Sequence, residues 1–285
     1  MSSYFGGKFS REKSWLVNQL PSELLTLISD CDAFIAGGAV TSAFSNKKVR
    51  DLDVFFRSKS KREVFLAVLS NLSSDSAIEI ETDYDYKELK ENIQGEIHFL
   101  ERTETALTYS WEYKGQEFFI QAILLNHVVG EPEGVLSQFD FTISEGAYLP
   151  REESFVLNED FLRDLSQRRL IYTGSDYPMA TLLRIVKFVD RGFTISGVDL
   201  VRVGLAINNL TLSTLDDYLD QLNGIDIALF KPLIEKVKED MAGETRVPAM
   251  AFDEAIVDYL NAQFEYDGEF GEAPEGIQAF FDSLS

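Results

Sequence analysis

The chain has 285 residues, 45% of them hydrophobic and 26% charged, enough to bury a core in one large domain or two ordinary ones. Its 48 Asp and Glu against 26 Lys and Arg leave a formal charge of −22, which excludes the extended basic face that wrapping duplex DNA requires. The single cysteine, Cys31, excludes an intrachain disulfide or a cysteine-built metal cluster, and no apolar run approaches the ~18 residues of a membrane-spanning helix.

The N-terminal "MSSYFGGKFSREKSW" is polar, is broken by glycines and has none of the apolar core of a signal peptide, so a soluble protein of a reducing cytoplasm is expected, with no membrane partner. Charge is uneven along the chain. Basic residues gather early, at Lys8, Arg11, Lys13, Lys47, Lys48, Arg50, Arg57, Lys59, Lys61 and Arg62, whereas no Lys or Arg follows Arg246. The acidic tail reads as a solubilising surface, and the 22 Phe and 11 Tyr read as core filling before any base-stacking role.

Taken in order, residues 11–29 predict a helix interrupted at Pro21. "AFIAGG" predicts a short apolar strand ending in glycines, and "AVTSAFS" a short helix closed by Asn46. "LDVFF" is the next strand, "KREVFLAVLSNL" has helical spacing, and "AIEIE" alternates as a strand. "TALTYSWEYKGQEFFIQAILL" predicts a hairpin turning at Lys114-Gly115. "FTISEGAY" and "SFVLN" read as strands, and "EDFLRDLSQRRL" as an amphipathic helix with a strand beginning at Arg168-Arg169. "PMATLLRIVKFVDRG" reads as a helix between Pro178 and Gly192. Further helices are expected near 198–208, 212–222, 226–241, 251–263 and 275–283, and "FEYDGEFGEAPEG" as a loop. The pattern is α+β, a mixed sheet with helices over residues 1–174, followed by an all-helical part over 175–285 with an acidic tail.

The chemistry concentrates in "GGAVTSAFSNKKVRDLDVFF". Residues two apart on a strand share a face, so Asp51 and Asp53 project together, and a divalent cation relieves the repulsion between them. Taken alone, this D-x-D also fits a solvated strand end. Gly37-Gly38 stands between a strand and a helix, where backbone amides and the helix dipole favour an anion; alone, it also fits a tight turn. Phosphate-binding glycines one helix away from a metal-binding D-x-D form the wall that a metal-bridged nucleotide needs.

This order resembles the nucleotidyltransferase fold of the DNA polymerase beta superfamily, and within it the bacterial CCA-adding and poly(A) polymerase branch. That branch's signature, G-G-x-V-R-D-x-L-L-G-R-x-x-x-D-I-D-L, runs without a gap from Gly37 to Val54, with Asn46 at its glycine and Lys47 at its arginine. "FDFTISEGAY" (139–148) is similar to R-R-D-F-T-I-N-A-x-A-Y, and "YPMATLLRIVKFVDRGFTI" to the stretch that opens the branch's helical part. The resemblance implies Mg²⁺ (or Mn²⁺) on Asp51 and Asp53 as catalytic residues. It implies nucleotide contacts from Gly37, Gly38, Lys47, Arg50, Asp140 and Arg184. The implied reaction transfers a nucleoside monophosphate from a nucleoside triphosphate to an acceptor hydroxyl on RNA, a small molecule or a protein.

The chain departs from the signature at identifiable points. Thr41 and Ser42 replace an arginine and an aspartate, Gln138 and Phe139 replace paired arginines, and "MATLLR" keeps Arg184 without the acids of the base-reading motif. The third carboxylate of the superfamily is expected on "EFFIQAILL", whose inward polar residue is the neutral Gln121, with Glu117 or Asp140 as alternatives. A neutral ligand there predicts slow, altered or absent catalysis, so the alternative function is a catalytically degraded fold that binds nucleotide or serves in an assembly. His98 and His127 have no partner pattern and read as ordinary polar positions, and Cys31 as buried and inert.

Overall fold

A computed structural model describes residues 2–49, 51–75, 80–103 and 105–212, together with Asp217 and Gln221. The chain divides into two compact units, one of Met1–Ser175 with Thr194–Asp199, the other of Asp176–Phe193 with the residues after Asp199. In chain order the described elements begin with β1 (Tyr4–Gly7), α1 (Ser10–Val17), α2 (Ser22–Asp30), β2 (Ala33–Ala36), α3 (Gly38–Ser45), β3 (Asp51–Phe56) and α4 (Lys59–Leu72). There follow α5 (Lys87–Asn92), β4 (Ile97–Arg102), β5 (Ala106–Tyr113), β6 (Gln116–Ile123), α6 (Pro132–Leu136), β7 (Gly146–Leu149) and β8 (Ser154–Asn158). The last are α7 (Phe161–Ser166), β9 (Arg169–Leu170), α8 (Pro178–Asp190), β10 (Thr194–Ile195) and α9 (Gly197–Asn208).

Eight strands form one mixed sheet in the order β1-β8-β7-β2-β3-β6-β5-β4. Every pairing in it is antiparallel except β3 with β6. The α+β expectation therefore holds, and the two-residue period of the strands sorts their side chains cleanly. Ala33, Ile35, Leu52, Val54, Phe56, Phe118, Ile120, Ala122, Phe155 and Leu157 pack on one face into a core shared with Leu16, Leu24, Leu27, Ile28, Val40, Phe65 and Val68 from α1–α4. The opposite face carries a smaller cluster, in which Phe34, Ala36, Phe55, Ala147 and Leu149 meet Val128, Val135 and Leu136.

Several expected elements lie where the sequence placed them. Pro21 separates α1 from α2, and α3 ends on Asn46 in the left-handed conformation (φ 54°), which asparagine tolerates. The β5–β6 hairpin turns through Lys114 (φ 52°) and Gly115 (φ 70°), the paired positive angles that match the strand twist. In the second unit α8 starts at Pro178 and stops before Gly192 (φ 84°). α9 covers the span expected near 198–208 and begins one residue before it.

Other expectations are corrected. "FTISEGAY" is not one strand: Thr142–Ser144 forms a 3₁₀ turn, and β7 begins only at Gly146. The turn is held from outside the strand, since the buried Asp164 accepts from Thr142 Oγ1 (2.8 Å) and from Arg163 Nε (2.9 Å). α7 is shorter than the helix expected over "EDFLRDLSQRRL", ending at Ser166 before Arg168 turns with φ 50° into β9. β1, β4 and α5 were not expected. β1 contains two glycines and β4 buries little beyond Ile97, so neither shows a strong apolar alternation. Of "AIEIE", Ile80 and Glu81 lie outside any strand and the rest falls outside the described residues. So do the helices expected from residue 213 onwards, Asp217 and Gln221 apart.

Cys31 is fully buried, and burial pushes its thiol up to about 12, which keeps it protonated and unreactive at neutral pH. Among the described residues no helix is long and apolar enough to cross a membrane.

The far end of β3 is tied by Arg57. Its Nη1 donates to Asp32 Oδ1 at 2.7 Å and reaches Glu152 at 3.0 Å, and its Nε donates to Glu131 Oε2 at 3.1 Å. Replacing Arg57 by Ala leaves three carboxylates facing one another around a half-buried gap. Its expected cost is about 1–3 kcal/mol by urea denaturation, against less than about 0.5 kcal/mol for Lys48→Ala on the exposed surface.

Candidate functional site

The site is built on the middle of the large sheet. Leu52, Val54 and Phe56 point into the main core, so strand periodicity sends Asp51 and Asp53 to the other face. At that end of the strand the smaller cluster runs out, which leaves Asp51 exposed and Asp53 half-buried while Phe55 lies beneath Val135 and Leu136. Asp53 sits between Ala36 of β2 and Gln121 of β6, and Asp51 sits opposite Phe119.

β2 runs directly into the glycine turn. Gly37 takes φ 70° and ψ −129°, a conformation that an L side chain avoids, and its N–H donates to the Gly146 carbonyl at 3.0 Å. A Cβ on Gly37 would lie 3.1 Å from the Phe139 ring and 3.7 Å from Asp53 Oδ2, so glycine turn, aromatic ring and carboxylate meet at one point. Val40 and Thr41 amides both turn back to the Gly37 carbonyl, which leaves the amides of Gly38 and Ala39 at the helix start, where α-helical geometry offers no acceptor. Gly38 is exposed, and a Cβ there would meet nothing within 4 Å. The start of α3 thus presents bare backbone donors beside Asp53.

The loop carrying Gly146 is anchored from beneath. Thr41, buried in α3, donates through Oγ1 to the Ile143 carbonyl at 2.7 Å. Glu145 is fully buried, and its Oε2 accepts from the Tyr4 hydroxyl and from Asn158 Nδ2, both at 2.8 Å. Burial and the carboxylate of Glu145 together push the Tyr4 hydroxyl far above its usual range, so it stays a donor at any physiological pH. β1 and β8 are thereby clamped to the residue that precedes Gly146, and Gly146 clamps Gly37. Neither Thr41 nor Glu145 was singled out as a contributor from the sequence, because a buried threonine or glutamate has no spacing signature.

The sequence-derived candidates distribute as follows. Asp51, Asp53, Gly37 and Gly38 are brought together on β3 and at the start of α3. Lys47 is exposed just past the α3 cap, its amide held by the Ser42 carbonyl at 2.9 Å. Arg50 lies outside the described residues. Asp140 is buried immediately after Phe139, its carbonyl accepting from Thr173 N–H. Arg184 is on α8 in the second unit. Gln121 is the direct neighbour of Asp53, as the resemblance placed the third ligand position. Glu117 lies further along β6, opposite Glu112 at the hairpin end. Among the described residues no group of three or more His, Cys, Asp and Glu is placed to hold a metal ion, so neither Glu117 nor Asp140 completes a carboxylate trio. His98 is on the edge strand β4 beside Asp75 and Glu96, and His127 lies in a 3₁₀ turn.

The donor set nevertheless suits a hard divalent cation that takes its remaining ligands from a substrate. Two carboxylates on one strand face, a neutral amide oxygen within reach of the adjacent strand and helix-start amides for phosphate are the parts such a site uses. The geometry makes Gly37 the steric pivot. Gly37→Ala is expected to lose about 1–3 kcal/mol of stability through backbone strain, and more if the Phe139 ring cannot shift. Gly38→Ala, in helical backbone with open space around it, should change stability by less than about 1 kcal/mol, measured by the same urea titrations.

A family model described as Gabija anti-defense 2 family protein matches residues 8–168. The protein "Gabija anti-defense 2" of Bacillus phage SPbetaL7 is 33% identical over 232 residues, covering 80% of this chain and 50% of that protein. The chain thus spans about half the length of the curated relative it matches. Among solved structures, a CCA-adding enzyme in complex with ATP is similar at a TM-score of 0.47 and 16% identity, over 96% of this chain and 64% of that one. The Thermotoga maritima CCA-adding enzyme complexed with tRNA is similar at a TM-score of 0.44 and 16% identity, over the same shares. With more than half of its length matched by the family model, the chain belongs to the Gabija anti-defense 2 family.

Proposed function

We propose that this protein is a divalent-metal-dependent nucleotidyltransferase that counters Gabija defence by transferring a nucleoside monophosphate to an acceptor in the cytoplasm of the infected cell. The observation that carries the reading is the meeting of Asp53 Oδ2, the Gly37 turn and Gln121 at one place on the sheet, with Asp51 on the same face. An anion-binding helix start beside paired carboxylates has a purpose when a metal-bound polyphosphate lies between them. The name borne by the phage relative supplies the biological setting.

Asp51 and Asp53 would hold Mg²⁺ or Mn²⁺, and the bound metal would neutralise charge on the transferred phosphoryl group. Gly38 and Ala39 amides, with Lys47 nearby in sequence, would bind the phosphates of the nucleoside triphosphate. Gln121 would donate its carbonyl oxygen in place of a third carboxylate and, being neutral, would hold the cation less tightly. The acceptor class stays open among an RNA end, a small molecule and a protein. A protein component of the defence is the acceptor most in keeping with an acidic, non-basic body.

The test is Mg²⁺-dependent transfer of label from the α-phosphate of each nucleoside triphosphate to lysate of cells carrying the defence. Wild-type protein should label a discrete acceptor. The Asp51→Ala/Asp53→Ala double variant should lose transfer to the level seen without metal while circular dichroism shows it folded. Absence of transfer to any acceptor, combined with full anti-defence activity of the double variant, would sink the proposal. Gln121→Glu adds the charge the site lacks and is expected to lower the half-saturating Mg²⁺ concentration by about tenfold.

A further inference from the structure

Two positions at which the resembling family carries arginine are occupied here by Gln138 and Phe139, and the fold treats them in opposite ways. Gln138 turns back on α6, where its Nε2 donates to the Gly134 and His127 carbonyls, both at 3.2 Å. Phe139 turns inward. Its ring edge lies 3.1 Å from where a Gly37 Cβ would be, on the same side of that turn as Asp53 Oδ2. The ring also packs on Phe55 at 5.7 Å between centroids, and Phe55 stacks on Phe34 at 5.9 Å. Its backbone is held on both sides: the amide donates to the Leu136 carbonyl at 3.0 Å, and the carbonyl accepts from Thr173 Oγ1 at 2.9 Å. The ring is therefore a rigid aromatic wall, only partly buried, at the edge of the candidate site.

We infer that Phe139 is the specificity-determining residue of this site, the surface on which the base of a bound nucleotide stacks. The inference rests on the nucleotidyltransferase reading and adds to it the basis of nucleotide choice. An apolar ring beside helix-start amides and paired carboxylates, half-buried against the smaller cluster, suits a ligand that joins a flat, apolar part to an anionic one. A nucleobase joined to a polyphosphate has that composition. Selection by a ring reads polarisable area and not hydrogen-bonding edges, because every base has a π-face. The site should accordingly take purine nucleotides ahead of pyrimidine nucleotides and separate ATP from GTP poorly.

The experiment compares calorimetric binding of two probes with Mg²⁺ present: a non-hydrolysable α,β-methylene ATP and inorganic tripolyphosphate. Phe139→Leu keeps the apolar bulk that supports Phe55 and removes the π-face, and Phe139→Trp enlarges that face. Circular dichroism and melting establish that both variants are folded. The expected result is about tenfold weaker binding of the ATP analogue by Phe139→Leu, wild-type or tighter binding by Phe139→Trp, and unchanged binding of tripolyphosphate by both. Unchanged analogue binding in Phe139→Leu, or an equal loss of both probes, overturns the stacking role and leaves the nucleotide reading standing. Failure of the wild-type protein to bind either probe overturns the nucleotide reading itself, and the stacking role with it.

Discussion

The alternation of β3 is the constraint from which the rest of the site follows. Leu52, Val54 and Phe56 are held in the main core by helices α1–α4, and a shift of one residue would bring Asp51 and Asp53 into that core unpaired. The cost of burying two carboxylates fixes the register of β3 against both neighbours. Once it is fixed, Asp53 must stand beside Ala36 on one side and Gln121 on the other. The parallel pairing with β6 matters here, because it brings Gln121, far along the chain on a later hairpin, alongside the D-x-D.

A second layer of buried polar contacts holds the glycine turn. Gly37 is clamped by the Gly146 carbonyl, Thr41 by the Ile143 carbonyl, and Glu145 joins Tyr4 and Asn158 from the two strands at the sheet edge. One of these contacts, that of Thr41, occupies a position where the resembling family has a charged residue. Thr41, in place of an arginine, now makes a local structural hydrogen bond. Phe139, in place of another arginine, is part of an aromatic row with Phe55 and Phe34. At both positions this chain places a group that bonds or packs within the wall itself. The net charge of −22 disfavours long nucleic acid as a partner.

The region matched by the Gabija anti-defense 2 family, residues 8–168, is the part that contains the whole eight-stranded sheet apart from β1. The chain covers half of the phage relative's length. What this chain contributes is the sheet, the glycine turn and the paired carboxylates, all carried by the unit of Met1–Ser175 with Thr194–Asp199.

Much of this was legible in the residues alone. Period-two alternation in "LDVFF", a glycine pair between strand and helix, asparagine at a helix end and Lys-Gly at a hairpin turn are local signals, each set by backbone sterics within a few residues, and each lies where it was read. The mixed α+β class and the neighbourhood of Gly37, Asp51 and Asp53 followed from them. What spacing cannot carry is long-range contact. β1 and β4 are weak strands that exist because β8 and β5 offer edges to pair with, and the 3₁₀ turn at Thr142 exists because Asp164 reaches it from another helix. The inward turn of Phe139 depends on the Thr173 hydroxyl and on rings remote in sequence, and the burial of Glu145 beneath the loop that holds Gly37 depends on Tyr4 and Asn158. Sequence determined which groups could do chemistry, because side-chain type and strand period are local properties. Only the tertiary structure decided which of them meet, because that depends on the packing of distant elements.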